Sequence, residues 1–265
     1  IDSGILKNPA GIRFAKALEK WVYGLADRIS VISDGFARNL SEKGVPSGKL
    51  AVLPNWVDTD FLKPGPKDNP VSRRHGLHDK FVVMYSGTVS ISSNMALECV
   101  LEAAKLLAGN PDIIFVIVGE GLKKEALRKK AASLGLRNAV FLPFQPYRDL
   151  PDLLASADVL LVPLDKEKSQ LSVPSKLYTF MAAGRPILGL AEPDSEVTVL
   201  LREKDCGLAV PPDGAAAVAE AVRTLKRSPE KRRLLGGNAR EHVVRQFAKD
   251  KILGSYDKLL RSMVS

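Results

Sequence analysis

The chain has only two cysteines and three histidines among its 265 residues. Cys99 and Cys206 stand alone among apolar neighbours and form neither a disulfide framework nor a metal spacing. Reduced core thiols of a cytoplasmic protein are expected. His75, His78 and His242 lie in polar or amphipathic surroundings without paired ligands, so they are expected at the surface and no metal site is predicted. No apolar run approaches the roughly 20 residues of a membrane span, and the first residues lack a signal-peptide pattern. Aromatic residues make up 6% and do not interleave with basic ones as in single-strand nucleic-acid binders. Both the Gly-x-Gly-x-x-Gly run of dinucleotide enzymes and the Gly-Lys-Ser/Thr of ATP motors are missing. Acidic residues are in deficit: 39 Lys and Arg against 30 Asp and Glu leave a net charge of +9. The cations are spread over many segments, which favours phosphate-bearing ligands or an anionic surface over nucleic acid.

What the chain has in quantity is short apolar runs alternating with amphipathic segments. Phe81–Tyr85, Ile113–Val118, Ala139–Leu142, Val159–Leu164, Ile187–Leu190 and Gly207–Val210 read as buried strands. Helical periodicity separates them, over Met95–Leu107, Lys123–Leu134, Leu150–Ala155, Val197–Lys204, Ala215–Arg227, Glu230–Ala248 and Lys251–Met263. That alternation predicts an α/β fold, a Rossmann-like doubly wound parallel sheet covered on both faces. Before it, helices at Ala15–Leu25 and Gly35–Lys43 and strands at Arg28–Ser33 and Leu50–Leu53 make part of a second such domain. From Pro54 to Val71 the chain is rich in Pro, Gly, Asp and Lys and reads as a linker. The predicted boundaries are 1–64, 65–248 and a terminal helix over 249–265. The first residue is Ile rather than Met, which reads as a piece of a longer protein.

The most informative stretch is Leu171-Ser-Val-Pro-Ser-Lys-Leu-Tyr-Thr-Phe-Met-Ala-Ala-Gly-Arg-Pro-Ile187. Ser175 reads as the N-cap of a short helix that Gly184 ends and Pro186 forbids from continuing. A helix N-terminus beside strand ends offers unpaired N–H groups to a phosphate, and Lys176 would add a full charge. A solvated lysine on a surface helix is the bland alternative. In doubly wound sheets ligands sit at the carboxyl ends of the strands, which puts Gly87-Thr88, Gly119-Glu-Gly121, Pro143-Phe144-Gln145 and Ser175-Lys176 on one rim. Glycine at Gly87, Gly119 and Gly121 would let a ligand approach the backbone.

In this order, Tyr85-Ser-Gly-Thr88, Val118-Gly-Glu-Gly121, Ala157-Asp-Val-Leu-Leu-Val-Pro163, Pro174 to Pro186 and Cys206-Gly-Leu-Ala-Val210 resemble the donor domain of family 4 glycosyltransferases with the GT-B fold. The Pro-Ser-Lys form is similar to the branch acting in bacterial surface polysaccharide and O-antigen assembly. Ala26 to Ser33 and Pro54-Asn-Trp-Val-Asp58 resemble the end of that family's acceptor domain and its crossover. The resemblance implies two Rossmann-like domains, a nucleotide-sugar donor, and a glycan or lipid-linked acceptor. It also implies retention of configuration and neither metal nor other cofactor. Residues that map to the donor site are Gly87, Thr88, Gly119, Gly121, Phe144, Gln145, Ser175, Lys176, Leu177, Thr179 and Glu196. The base would pack near Phe144 and Gln145, the diphosphate near Gly87 and Ser175-Lys176-Leu177, and Glu196 would grip a donor hydroxyl. For Glu196 a surface carboxylate opening a helix remains the alternative. The terminal helix would cross back toward the first domain, and the family's catalytic-site histidine segment lies outside these residues.

The sequence departs from the family at two pairs of positions. Its glutamate pair is replaced by Leu171 and Thr179, and the basic pair after the first glycine loop by Thr88 and Ser93 or Asn94. A neutral Thr179 would hold a ribose hydroxyl more weakly than a carboxylate does. That leaves Lys176 as the main diphosphate partner, with Lys123, Lys166 and Lys168 read as solvated charges. The expected activity is sugar transfer from a UDP-sugar. The alternatives are a UDP-sugar epimerase of the GT-B kind, disfavoured for want of a histidine at the rim, and a truncated, non-catalytic nucleotide-sugar binding module. The basic helix Lys123–Lys130 or the partial first domain could also give peripheral contact with the inner face of the membrane.

Overall fold

The computed structural model describes residues 8–89, 94–166 and 173–264, and the chain divides into two compact units, Ile1–Asn55 with Ile252–Ser265, and Trp56–Lys251. In the first unit, helix α1 (Pro9–Leu25) begins six residues before the sequence expectation. Asn8 accepts the Ala10 N–H at 3.0 Å, and Pro9 fills the first position, where no N–H is needed. Strand β1 (Ile29–Val31), helix α2 (Asp34–Glu42) and strand β2 (Leu50–Val52) follow. The two strands pair in parallel, Ser30 opposite Ala51. Val31, Leu40 and Val45 make a small core. No residue of α1 is buried, and Phe14, Leu18, Trp21, Val22 and Leu25 form an exposed apolar stripe.

The second unit contains β3 (Phe81–Ser86), β4 (Ile113–Val118), β5 (Ala139–Leu142), β6 (Val159–Pro163), β7 (Ile187–Leu190) and β8 (Gly207–Val210) in one six-stranded parallel sheet. The order across it is β5-β4-β3-β6-β7-β8. The chain thus winds outward from β3 to one edge, returns, and winds outward from β6 to the other. Between β3 and β6 the direction reverses, and at such a point the helices diverge and leave a crevice at the strand carboxyl ends. Alternation along β3 divides two cores, with Val82 and Met84 in one and Val83 and Tyr85 in the other. Helices α4 (Asn94–Leu106), α5 (Lys124–Ser133) and α9 (Ala215–Arg227) bury residues in the core of Tyr85. Helices α6 (Leu150–Ala155), α7 (Lys176–Ala182) and α8 (Glu196–Glu203) serve the other, and α10 (Pro229–Phe247) contributes to both. The last helix, α11 (Lys249–Val264), spans the boundary between the units.

The predicted linker is corrected. Val57, Leu62 and Val71 are buried in the core, and residues 70–74 form a helix, α3 (Pro70–Arg74). Asn69 caps α3 through the Ser72 N–H, and the Ser72 hydroxyl accepts the Asn69 N–H in return. Val57 donates to the Phe247 carbonyl and accepts from the Lys249 N–H, so this proline-rich stretch is stitched at its start. Its polar composition hid a few apolar anchors spaced too irregularly for any period.

Neighbouring glycines in α10 test the packing directly. A Cβ on Gly236 would lie 2.2 Å from the Gly184 carbonyl oxygen, whereas one on Gly237 meets nothing within 4 Å. Gly237→Ala is expected to stabilise by about 0.5–1 kcal/mol through helix propensity. Gly236→Ala should destabilise by about 2 kcal/mol or more as α10 is forced off α7. Urea midpoints of the two variants moving in the same direction would contradict this packing.

Candidate functional site

The carboxyl ends of β3, β4 and β5 are sewn together by backbone hydrogen bonds. Gly87 donates to Val118 at 2.9 Å, Gly119 to Leu142 at 3.1 Å, and Val89 to Glu120 at 2.9 Å. Gly87, Gly119 and Gly121 have φ of +147°, +139° and +151°, a region that side chains rarely adopt. A Cβ on Gly119 would lie 2.0 Å from the Gly87 carbonyl oxygen, and one on Gly121 2.2 Å from that of Val89. The expectation that these glycines clear space for a ligand is therefore revised. At Gly119 and Gly121 the close neighbour is another loop of the chain. Only at Gly87 is it a functional group, the Lys176 amine, 2.9 Å from where a Cβ would stand.

Lys176 opens α7 and reaches over the carboxyl end of β3. Its ammonium donates to the Tyr85 hydroxyl at 2.7 Å and stands 4.2 Å from the centre of the Tyr85 ring. That hydroxyl in turn donates to the Thr88 carbonyl at 2.6 Å, beside Gly87, while the Thr88 side chain is exposed. Burial holds the Lys176 amine well below an ordinary lysine, at about 8. A desolvated cation with no carboxylate to neutralise it among the described residues is suited to an anionic ligand.

Two expectations about α7 are corrected. Ser175 does not cap it: its backbone is already helical, so its hydroxyl cannot swing over the first turn, and no side-chain capping bond forms. Nor is the N–H of the buried Leu177 open to a ligand, since it donates to the Pro174 carbonyl at 2.9 Å. Thr179 lies three residues after Lys176 on the same helix and is half-buried.

On the β5 side, the Phe144 ring is exposed and approaches within 3.4 Å of a Cβ placed on Gly119. The Gln145 amide is turned onto the chain, donating to the Pro143 carbonyl at 3.0 Å, while its oxygen stands 3.3 Å from His75 Nε2. His75 was expected at the surface and the rim was expected to lack a histidine. The end of α3 brings His75 to it, half-buried. His242 is likewise half-buried, edge-on to Phe247 at 5.5 Å, and burial lowers its pKa. His78 is exposed as expected.

Among the lysines, it is Lys124 rather than the named Lys123 that the rim orders. Its buried ammonium donates to Glu120 at 2.6 Å and to the Leu142 carbonyl at 3.2 Å. Lys166 is exposed and 3.8 Å from Glu192, and Lys168, Leu171 and Ser93 lie outside the described residues. Asp165, after β6, accepts the Ala96 N–H at 3.0 Å and so caps α4 across the switch point. Glu196 opens α8, where Ser195 is the cap, and its charge adds to burial in raising the Tyr178 phenol of α7 to about 12. Among the described residues no three His, Cys, Asp or Glu side chains group as metal ligands would, and no helix is long and apolar enough to cross a membrane. A cavity of 680 Å³ exists in the first unit, but it is lined by groups such as Lys16, Glu19 and Lys43, far in sequence from the rim glycines. Lys43 there is already paired with Glu19.

Residues 70–242 match the family described as glycosyl transferases group 1, and residues 6–61 match glycosyltransferase family 4. The chain is 31% identical over 249 residues to WcaI of Escherichia coli strain K12, named as a colanic acid biosynthesis glycosyl transferase. That match covers 92% of this chain and 59% of WcaI. It is 28% identical over 224 residues to the glycosyltransferase WbjE of Pseudomonas aeruginosa, covering 84% of this chain and 55% of WbjE. The chain thus spans little more than half the length of these curated relatives. The crystal structure of Anabaena HepE in complex with UDP and glucose superposes with a TM-score of 0.79 at 18% identity, over 95% of this chain and 68% of that one.

Proposed function

The chain belongs to the group 1 glycosyl transferases, and on that premise we propose that it carries the donor site of a sugar transfer. The donor is a nucleotide-diphosphate sugar, a UDP-sugar. Its sugar passes with retained configuration, and without a metal, to a hydroxyl of a glycan or lipid-linked acceptor in surface polysaccharide assembly on the cytoplasmic side. The observation that carries this reading is the Lys176 amine, desolvated and held over the carboxyl end of β3 where the sheet reverses. As the glycosidic bond breaks, negative charge grows on the leaving diphosphate. A cation already fixed in a water-poor place stabilises that charge without reorganising, an effect commonly worth several kcal/mol. Phe144 gives the base an exposed apolar face beside Gly119, and Glu196 and Thr179 are the side chains assigned to donor hydroxyls. No side chain is assigned as a general base.

A thermal-shift series with UDP, GDP, ADP, UMP and UDP-sugars tests the reading. UDP at about 100 times its Kd should add about 2.7 kcal/mol to stability, a rise of several degrees, and UMP at equal concentration clearly less. The reading is withdrawn if no nucleoside diphosphate shifts the melt at millimolar concentration and calorimetry detects no binding. Product formed from UDP-sugar and acceptor, as against binding alone, separates transfer from a binding module.

A further inference from the structure

We propose that Tyr85 is a positioning residue for the diphosphate: its hydroxyl ties the Lys176 ammonium to the Gly87-Thr88 loop, so that cation and loop meet the ligand as one preset unit. The proposal rests on the donor-site reading above. Tyr85 is wholly buried on β3, so its ring is fixed by the sheet and by the core it shares with α4. From that anchor the phenol serves both neighbours at once, accepting from Lys176 at 2.7 Å and donating to the Thr88 carbonyl at 2.6 Å. The ring face adds a second hold on the same ammonium at 4.2 Å. Gly87 completes the unit, since a side chain there would enter the space of the Lys176 amine. A flexible lysine would otherwise lose much rotamer freedom on meeting a phosphate; here that ordering is complete before the ligand arrives.

The acceptor role of the hydroxyl sets the sign of a titration. It stabilises the charged amine, so its removal should lower the pH at which Lys176 loses its proton. Titratable groups on the neighbouring elements are Tyr178 on α7, Glu120 and Lys124 after β4, Asp165 after β6, Glu196 on α8, and Arg240 and His242 on α10. Among the described residues none of these shifts Lys176, and the downward shift of its amine comes from burial.

The test follows the Lys176 Nζ resonance by lysine-selective ¹⁵N NMR from pH 6 to 10.5 in ligand-free wild type and Tyr85→Phe, with UDP affinity measured by calorimetry in parallel. The expected result is a lower titration midpoint in Tyr85→Phe and UDP binding about tenfold weaker at pH 7.5. In the Lys176→Met background, adding Tyr85→Phe should weaken UDP binding no further, because the hydroxyl acts through the amine. An unchanged midpoint, or losses that simply add in the double variant, overturns the role of Tyr85. If wild type binds no UDP, the donor-site reading fails by itself, and the NMR midpoint still decides whether Tyr85 holds the amine. Should Tyr85→Phe not fold, a strong through-space contact between the Lys176 ammonium and the Tyr85 ring in wild type decides the same point, and its absence sinks the proposal.

Discussion

Lys176→Met is expected to make the ligand-free protein more stable and at the same time to remove most of its affinity for a nucleoside diphosphate. Burial moves the amine from 10.5 to about 8. The amine is charged in both folded and unfolded chains at neutral pH, so the folded state there bears the whole penalty, on the order of 3 kcal/mol. The ring contact and the bond to Tyr85 return part of it, and methionine fills the space of the lysine stem with a comparable apolar chain. A net gain of about 1–2 kcal/mol is the expected balance. The pH dependence has a definite sign. Below about 8 the penalty is complete; as pH rises from the folded value toward 10.5 the folded amine loses its proton first, and the penalty fades. Wild-type stability should therefore rise relative to Lys176→Met across that window, which chemical denaturation at pH 7 and pH 10 reads directly. Against the gain stands a charge-assisted bond to phosphate of about 1.5–3 kcal/mol, so UDP binding should weaken roughly 10- to 100-fold. A variant less stable than wild type at pH 7, or one that keeps the UDP-induced shift, would contradict the assignment. Stability given up at one position in exchange for ligand affinity is a usual mark of a functional site.

The strands that build this site were readable because buried parallel strands are continuous apolar runs, and Phe81–Tyr85 and Ile113–Val118 could hardly be anything else. The rim followed from them, since alternating strands and helices leave loops at the strand ends. Local chemistry was less reliable. Ser175 has the right residue type for a cap, but a backbone already in helical geometry removes the role. What lay beyond reading were the partners. Tyr85 and Lys176 are 91 residues apart, Ala96 and Asp165 69, and His75 and Gln145 70. Periodicity says which face each residue occupies, yet pairing needs the strand order, and the order across β3 and β6 comes only from the folded sheet. Lys124 had a weak signal in its spacing of four from Glu120, a helical salt-bridge spacing, but the pair straddles the start of α5, and the sequence reading weighed only its neighbour Lys123, as a solvated charge.

Gly119→Ala separates the two reasons a glycine can stand at a strand end. If glycine were there only to admit a ligand, alanine would leave the fold intact and weaken binding alone. The added methyl would instead fall 2.0 Å from the Gly87 carbonyl oxygen, on a backbone with φ of +139°. Neither the residue nor the carbonyl can absorb that overlap by a side-chain rotation, so the loop after β3 has to move as a body. Its movement strains the bonds from Gly87 to Val118 and from Gly119 to Leu142. An inner backbone group left unpaired costs about 1–3 kcal/mol, and the strained conformation adds about 1–2 kcal/mol more. The expected loss is about 3–5 kcal/mol, lowering Tm by roughly 10 °C in a domain of this size. Gly121→Ala, which meets the Val89 carbonyl at 2.2 Å, should behave alike, whereas Gly109→Ala, with nothing within 4 Å, should stay near wild type. Gly119→Ala melting with the wild type while losing UDP affinity would return the glycine to the ligand. A large fall in Tm with or without nucleotide assigns it to the joint between the two loops, on which the placing of Lys176 over Gly87 depends.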